Sequence, residues 1–250
     1  MSLDLDSIRN KLNSLQKSTS KKSDFIWKPE TGKNQIRIVP YQFNKENPFI
    51  EGYFHYNLGR KTYLSPQTYG ESDPIVEFSE QLKSTGVKED WQLGRKLEPK
   101  MRIYVPVLVR GKENEGVKLW GFGKTVYQEL LNYIVDPDYG DITDLKNGRD
   151  VVVTYVPAEG ANYPKTSIMI KPNPTPATEE RAIADMVLNQ QSDFFDVFEK
   201  RSYDELKNAL EMYINQDEVV DEQVQSEKQE TSSVTKTDDL DSAFDDLFNS

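Results

Sequence analysis

From Trp27 to about Lys171 the chain offers only short apolar runs, each stopped within a few residues by Gly, Pro, Asn or Asp. Runs of this length, rich in β-branched and aromatic residues, read as strands and leave little room for long helices. The candidates are residues 35–40, 52–57, 61–64, 101–110, 117–122, 151–156 and 166–171. One inserted helix is expected at 124–134, where Val126, Tyr127, Leu130, Leu131 and Ile134 fall on one side. Three prolines within residues 172–176 close this body. Beyond them, 178–189 and 202–214 read as helices, the second opening with Ser202-Tyr203-Asp204-Glu205, the spacing of a capping box. The pattern predicts an α+β protein: a small barrel or strongly curved sheet with inserted and C-terminal helices.

The two ends follow different rules. Leu3, Leu5, Ile8, Leu12 and Leu15 line one face of a short amphipathic helix, in a leader (1–22) whose five bases outnumber two acids. Such a stripe is marginal in water by itself, so the arm is expected to dock on another surface, with Lys17, Lys21 and Lys22 supplying charge. Residues 216–250 hold eleven acids against two bases, a net −9 out of the whole chain's −11, while residues 25–171 are nearly balanced with 20 bases and 19 acids. With so little to bury, the tail is expected to be disordered. Its end carries Asp238, Asp239, Leu240, Phe244, Asp245, Asp246, Leu247 and Phe248, acids interleaved with apolar anchors that suit docking onto basic, hydrophobic pockets of partner proteins. The division expected is therefore arm 1–22, core 23–215 and tail 216–250.

Several chemistries are excluded. The chain has no cysteine and a single histidine, His55, so thiol catalysis and thiolate metal sites are absent. No phosphate loop, nucleophile elbow or His-Glu-x-x-His motif occurs, and Asp136, Asp138, Asp141 and Asp144 lack the calcium-loop spacing. No apolar run is long enough to span a bilayer and residues 1–10 do not resemble a signal peptide, so a soluble, cytoplasmic, non-enzymatic protein is expected, with no membrane partner.

What the body does offer is aromatics interleaved with bases: Tyr53, Phe54, Tyr56, Arg60, Lys61 and Tyr63; then Trp91, Arg95, Lys96, Lys100, Arg102 and Tyr104; then Trp120, Phe122 and Lys124. Single-stranded nucleic acid is gripped by this combination, because bases stack on rings while Lys and Arg follow the phosphates. The same residues would serve an RNA-binding translational regulator, and a scaffold acting only through its tail would use none of them.

The order of basic leader, aromatic-rich β body, helical cap and acidic tail resembles the single-stranded DNA-binding, helix-destabilising replication proteins of T-even-like bacteriophages. The local matches are Ile36-Arg37-Ile38-Val39-Pro40, Pro48-Phe49, Glu113-Asn114-Glu115-Gly116 leading to Phe122-Gly123-Lys124, Glu159-Gly160-Ala161-Asn162-Tyr163, and the Asp-Asp-Leu-Asp tail. That resemblance implies an oligonucleotide-binding (OB-fold-like) barrel and cooperative, largely sequence-independent binding of single-stranded DNA. It also implies roles in phage replication, recombination and repair in the host cytoplasm, an arm contacting the next copy along the strand, and a tail recruiting replication and recombination proteins. It carries stacking or phosphate-contacting roles onto Tyr104, Trp120, Lys124, Arg37, Arg60 and Lys61. The family's zinc subdomain uses one histidine and three cysteines. His55 falls at the histidine, whereas the region of Ser65, Asp73 and Val76 supplies no thiol. No metal or other cofactor is therefore expected, and the flap 63–82 is expected to be held by packing of Tyr63, Leu64, Tyr69, Ile75, Phe78 and Leu82.

Overall fold

A computed structural model describes residues 22–158, 160 and 163–225. The arm through Lys21, with Lys17, and the docking residues Asp238 to Phe248 of the tail lie outside the described residues. In chain order the elements are α1 (Lys22–Phe25), β1 (Ile26–Trp27), β2 (Gly32–Ile38), β3 (Ile50–Leu58), β4 (Lys61–Leu64), α2 (Pro74–Ser84), α3 (Lys88–Leu97), β5 (Lys100–Val109), β6 (Lys118–Phe122), α4 (Lys124–Val135), β7 (Val151–Val156), β8 (Lys165–Ile170), α5 (Arg181–Asn189), α6 (Phe194–Val197) and α7 (Tyr203–Gln225). The span expected as one core, 23–215, is organised as two compact units. One takes the described residues up to Ile50 with Ile103–Val197; the other takes Glu51–Arg102 with the described residues from Phe198.

The first unit is built on a sheet with strand order β1-β6-β5-β2-β7-β8, antiparallel except for the parallel β1–β6 pair. Residues Ile103 to Leu108 of β5 are buried on both faces, which is why this stretch reads as a continuous apolar run without alternation. On one side Val39, Leu108, Ala177, Ile183 and Val187 form a cluster that seats α5.

The second unit joins the β3–β4 hairpin to α2, α3 and α7. Its core is Leu58, Ile75, Phe78, Leu82, Leu97, Leu206, Leu210 and Ile214, with Tyr63 packed against it. Full burial of such a side chain is worth about 1.5–3 kcal/mol. That supports helices of 11 and 10 residues, α2 and α3, too short to persist alone. The strand-centred reading did not foresee these two helices, although the signals exist. Asp73 caps α2 by accepting from the Ile75 and Val76 amides, Pro74 occupies the first helical position, and Ile75, Phe78, Ser79 and Leu82 recur at helical spacing.

At α7 the capping box forms: Glu205 Oε2 accepts from the Ser202 amide at 2.9 Å, and Ser202 Oγ accepts from the Glu205 amide at 3.2 Å. This helix continues to Gln225, past the point where composition predicts disorder. Once Leu206, Leu210 and Ile214 anchor the helix, each further residue adds a hydrogen bond without a new nucleation cost, so a polar extension propagates. Among the described residues no helix is long and apolar enough to cross a membrane.

Candidate nucleic-acid interface

Most of the aromatic and basic residues singled out in the sequence fall in the second unit. The β3–β4 turn consists of two residues between the paired Leu58 and Lys61, Gly59 at φ 56° and Arg60 at φ 64°. Two left-handed residues make a type I′ turn, whose twist matches that of the strands. Arg60 is a non-glycine residue in this region, a conformation costing roughly 1–2 kcal/mol. The turn presents Arg60 and Lys61 at an exposed tip, while Tyr53, Tyr56 and Tyr63 are half-buried. Burial pushes the Tyr56 phenol up, and the nearby Arg102 charge pulls the other way, so these two residues are neighbours.

Helix α3 carries an exposed aromatic and basic face. Its inner side is Gly94 and Leu97. At Gly94 it crosses α2 so closely that a Cβ would stand 2.7 Å from the Ser79 carbonyl oxygen and 2.9 Å from Lys83 Cγ. Ser79 Oγ donates to the Gly94 carbonyl across this contact at 2.8 Å. With that side fixed, Lys88, Trp91 and Arg95, at steps of three and four, are turned outward. Trp91 is 50% exposed, and the Arg95 guanidinium lies 5.6 Å from its ring centroid, within cation–π range. Arg95 and Lys83 also donate to Glu98, at 3.0 and 2.8 Å. The Lys83 hydrogen bond is the main reason the Glu98 carboxyl sits below its usual range, with the Lys83 and Arg95 charges adding to it. Lys96 and Lys100 are exposed and Arg102 is half-buried. Lys88 escaped the sequence reading, though its spacing from Trp91 and Arg95 was the signal that could have found it.

In the first unit four of the five expected contact residues are buried. Arg37 is 0% exposed. Its Nε donates to Asp150 Oδ1 at 2.9 Å, and one terminal nitrogen donates to the Thr175 carbonyl and hydroxyl at 2.7 and 2.6 Å. Asp150 also accepts from Gln35 at 2.6 Å and from Arg110 at 3.0 and 2.7 Å. Burial pushes the Asp150 carboxyl up, but hydrogen bonds from Arg110 and Gln35 and the charges of Arg110 and Arg37 outweigh it and hold the carboxyl below its usual range. A guanidinium wholly buried and held on these acceptors presents no donor at the surface to a phosphate, so Arg37 is a structural residue.

Trp120, 1% exposed, packs edge-on to Trp27 at 5.8 Å between ring centroids and against Phe122 at 4.5 Å. A ring so enclosed has no face for a base, and the expected stacking role of Trp120 and Phe122 gives way to a core role. Tyr104, 8% exposed, lies over Gly121 of the paired strand, where a Cβ would stand 2.5 Å from its ring, and it meets Phe194 at 5.5 Å. Lys124 is exposed at the start of α4.

The residues at the expected zinc positions form a different kind of site. His55 Nε2 meets Asp73 Oδ2 at 2.9 Å, its Nδ1 meets the Leu97 carbonyl at 2.8 Å, and Ser65 Oγ donates to Asp73 Oδ2 at 2.5 Å. Asp73 Oδ1 is engaged by the Ile75 and Val76 amides at 3.0 and 3.3 Å. A tetrahedral zinc site needs four ligand lone pairs, usually thiolate or neutral imidazole, and this set does not supply them. Three of the four aspartates of the 136–144 loop are likewise occupied: Asp136, Asp141 and Asp144 accept backbone amides two or three residues ahead, as in Asx turns.

Compared with curated proteins, the sequence finds no match. Compared with protein families, it matches the family described as gp32 DNA binding protein like over residues 30–215. That span takes in both compact units and most of the chain, and the protein belongs to the gp32-like family of DNA-binding proteins.

Proposed function

We propose that this protein is a cooperative, largely sequence-independent single-stranded DNA-binding protein serving phage DNA replication, recombination and repair in the cytoplasm of the infected host. The observation that carries the reading is the outer face of α3, where half-exposed Trp91 stands with Lys88, Arg95 and Lys96 in a chain of the gp32-like family. A ring braced by a guanidinium stacks on any base, and the neighbouring cations follow the backbone, which gives affinity without sequence preference. Tyr56, Arg102, Lys100 and the hairpin tip at Arg60 and Lys61 extend the same chemistry. Binding the single strand and not the duplex moves melting equilibria by mass action. We read the first unit's sheet as an oligonucleotide-binding fold, a reading supported by the stagger of β2, which pairs with β7 over Gly32–Ile36 and with β5 over Ile36–Ile38. The arm would contact the next copy along the strand, and the tail, through Phe244 and Leu247, would recruit replication and recombination proteins.

Tryptophan fluorescence tests the reading. Of the three tryptophans, Trp27 is 9% and Trp120 1% exposed, against 50% for Trp91. Oligo-dT should quench the wild-type protein saturably, and Trp91→Phe should abolish that quenching. Trp91→Ala should weaken binding by about 1–3 kcal/mol, roughly 5- to 150-fold. Quenching that survives in Trp91→Phe, or is absent from the wild type, would refute α3 as the contact face.

A further inference from the structure

The hydrogen-bond chemistry around His55 leads beyond the absence of thiols. The Leu97 carbonyl can only accept, so His55 Nδ1 carries a proton toward it at 2.8 Å. Asp73 already accepts from two backbone amides through Oδ1 and from the Ser65 hydroxyl through Oδ2. Burial pushes its carboxyl up, yet the bond and charge from His55, with the Ser65 and Ile75 donors, outweigh this and keep it below its usual range. His55 Nε2 stands 2.9 Å from its Oδ2. Both ring nitrogens thus have a partner at hydrogen-bond distance, and neither is left turned toward a metal.

We propose that His55, Asp73 and Ser65 form a metal-free structural centre, an imidazole–carboxyl–hydroxyl knot that ties β3, the segment after β4, the start of α2 and the end of α3 into one piece. His55 and Asp73 are 1% and 3% exposed, so neither side chain has water to fall back on. A buried polar cluster is tolerable when its donors and acceptors are satisfied, and here the ring nitrogens, both carboxyl oxygens and the hydroxyl each have a partner. The knot sits beside Leu97, so it also fixes the end of the helix that carries Trp91 and Arg95. Its assignment stands whether or not α3 binds DNA.

The chain has one histidine, so its imidazole gives a single set of ring-nitrogen NMR signals. In full-length protein expressed with zinc in the medium, the signals of both nitrogens should be unchanged by EDTA. Elemental analysis should find no stoichiometric zinc, and EDTA should leave the melting temperature in place. His55→Ala and Asp73→Ala should each lower the melting temperature by about 5 °C or more, with the double variant little worse than the poorer single. About one zinc per chain, a ring carrying one proton with its other nitrogen on a metal, or a chelator-sensitive melt would overturn the proposal. So would additive losses in the double variant. The wild-type spectrum and metal analysis decide the matter even if a variant does not fold.

Discussion

Replacing Asp150 by alanine should cost the first unit about 3–5 kcal/mol. The carboxylate accepts one bond from Gln35, one from Arg37 and two from Arg110, all between 2.6 and 3.0 Å. Arg37 is wholly buried, and without Asp150 its charge would face mainly the neutral oxygens of Thr175. An unbalanced charge in the interior is what makes removal of one partner so much worse than absence of the pair. Against a typical total of roughly 5–15 kcal/mol, such a loss is a large fraction of the stability. Urea unfolding followed by circular dichroism measures it, and Asp150→Asn, which keeps an acceptor but loses the charge, should show most of the loss. The pH dependence has a definite sign. The folded carboxyl lies below its unfolded value of about 3.9, so its contribution is present above that value and is lost as pH falls through the folded one. The gap between wild type and Asp150→Asn should therefore be full at pH 7 and narrow below about pH 4. Asp150→Asn within about 0.5 kcal/mol of wild type at pH 7, or a gap that widens on acidification, would refute the argument.

Trp120→Ala should lower stability by about 3–5 kcal/mol, measured by urea unfolding, while oligo-dT quenching of Trp91 persists in the folded fraction. Lost affinity with intact stability would instead put the Trp120 ring at the DNA. Gly94→Ala should cost about 1–3 kcal/mol, because its Cβ would collide with backbone at 2.7 Å; an unchanged melting temperature would contradict the close crossing of α2 and α3. Removing residues 226–250, which hold seven acids against two bases, should tighten oligo-dT binding at low salt, with a gain that shrinks as salt rises. No gain at low salt would end the idea that the tail competes with DNA for the cations.

The sequence by itself determined the strand-rich body, the helix after β6, the capping box at Ser202 and the separation of a near-neutral body from an acidic end. Each of these is written in local spacing or composition. It also carried the family, whose span covers residues 30–215. The strands Lys61–Leu64 and Val151–Val156 were legible because turn residues bracket them closely. What local pattern did not decide was which ring or cation faces water. Trp91 and Trp120 both sit among bases in the sequence, yet one lies on the outer side of a helix and the other is sealed by Trp27, a partner brought alongside through the parallel β1–β6 pairing. The resemblance carried a phosphate-contacting role onto Arg37, and local pattern could not correct it, because its counter-charge, Asp150, arrives from far along the chain. His55 without cysteines read only as a lost metal site until folding set Asp73 and the Leu97 carbonyl on either side of its ring. Burial and charge compensation are set by contacts between segments distant in sequence, and those exist only once the tertiary structure has formed.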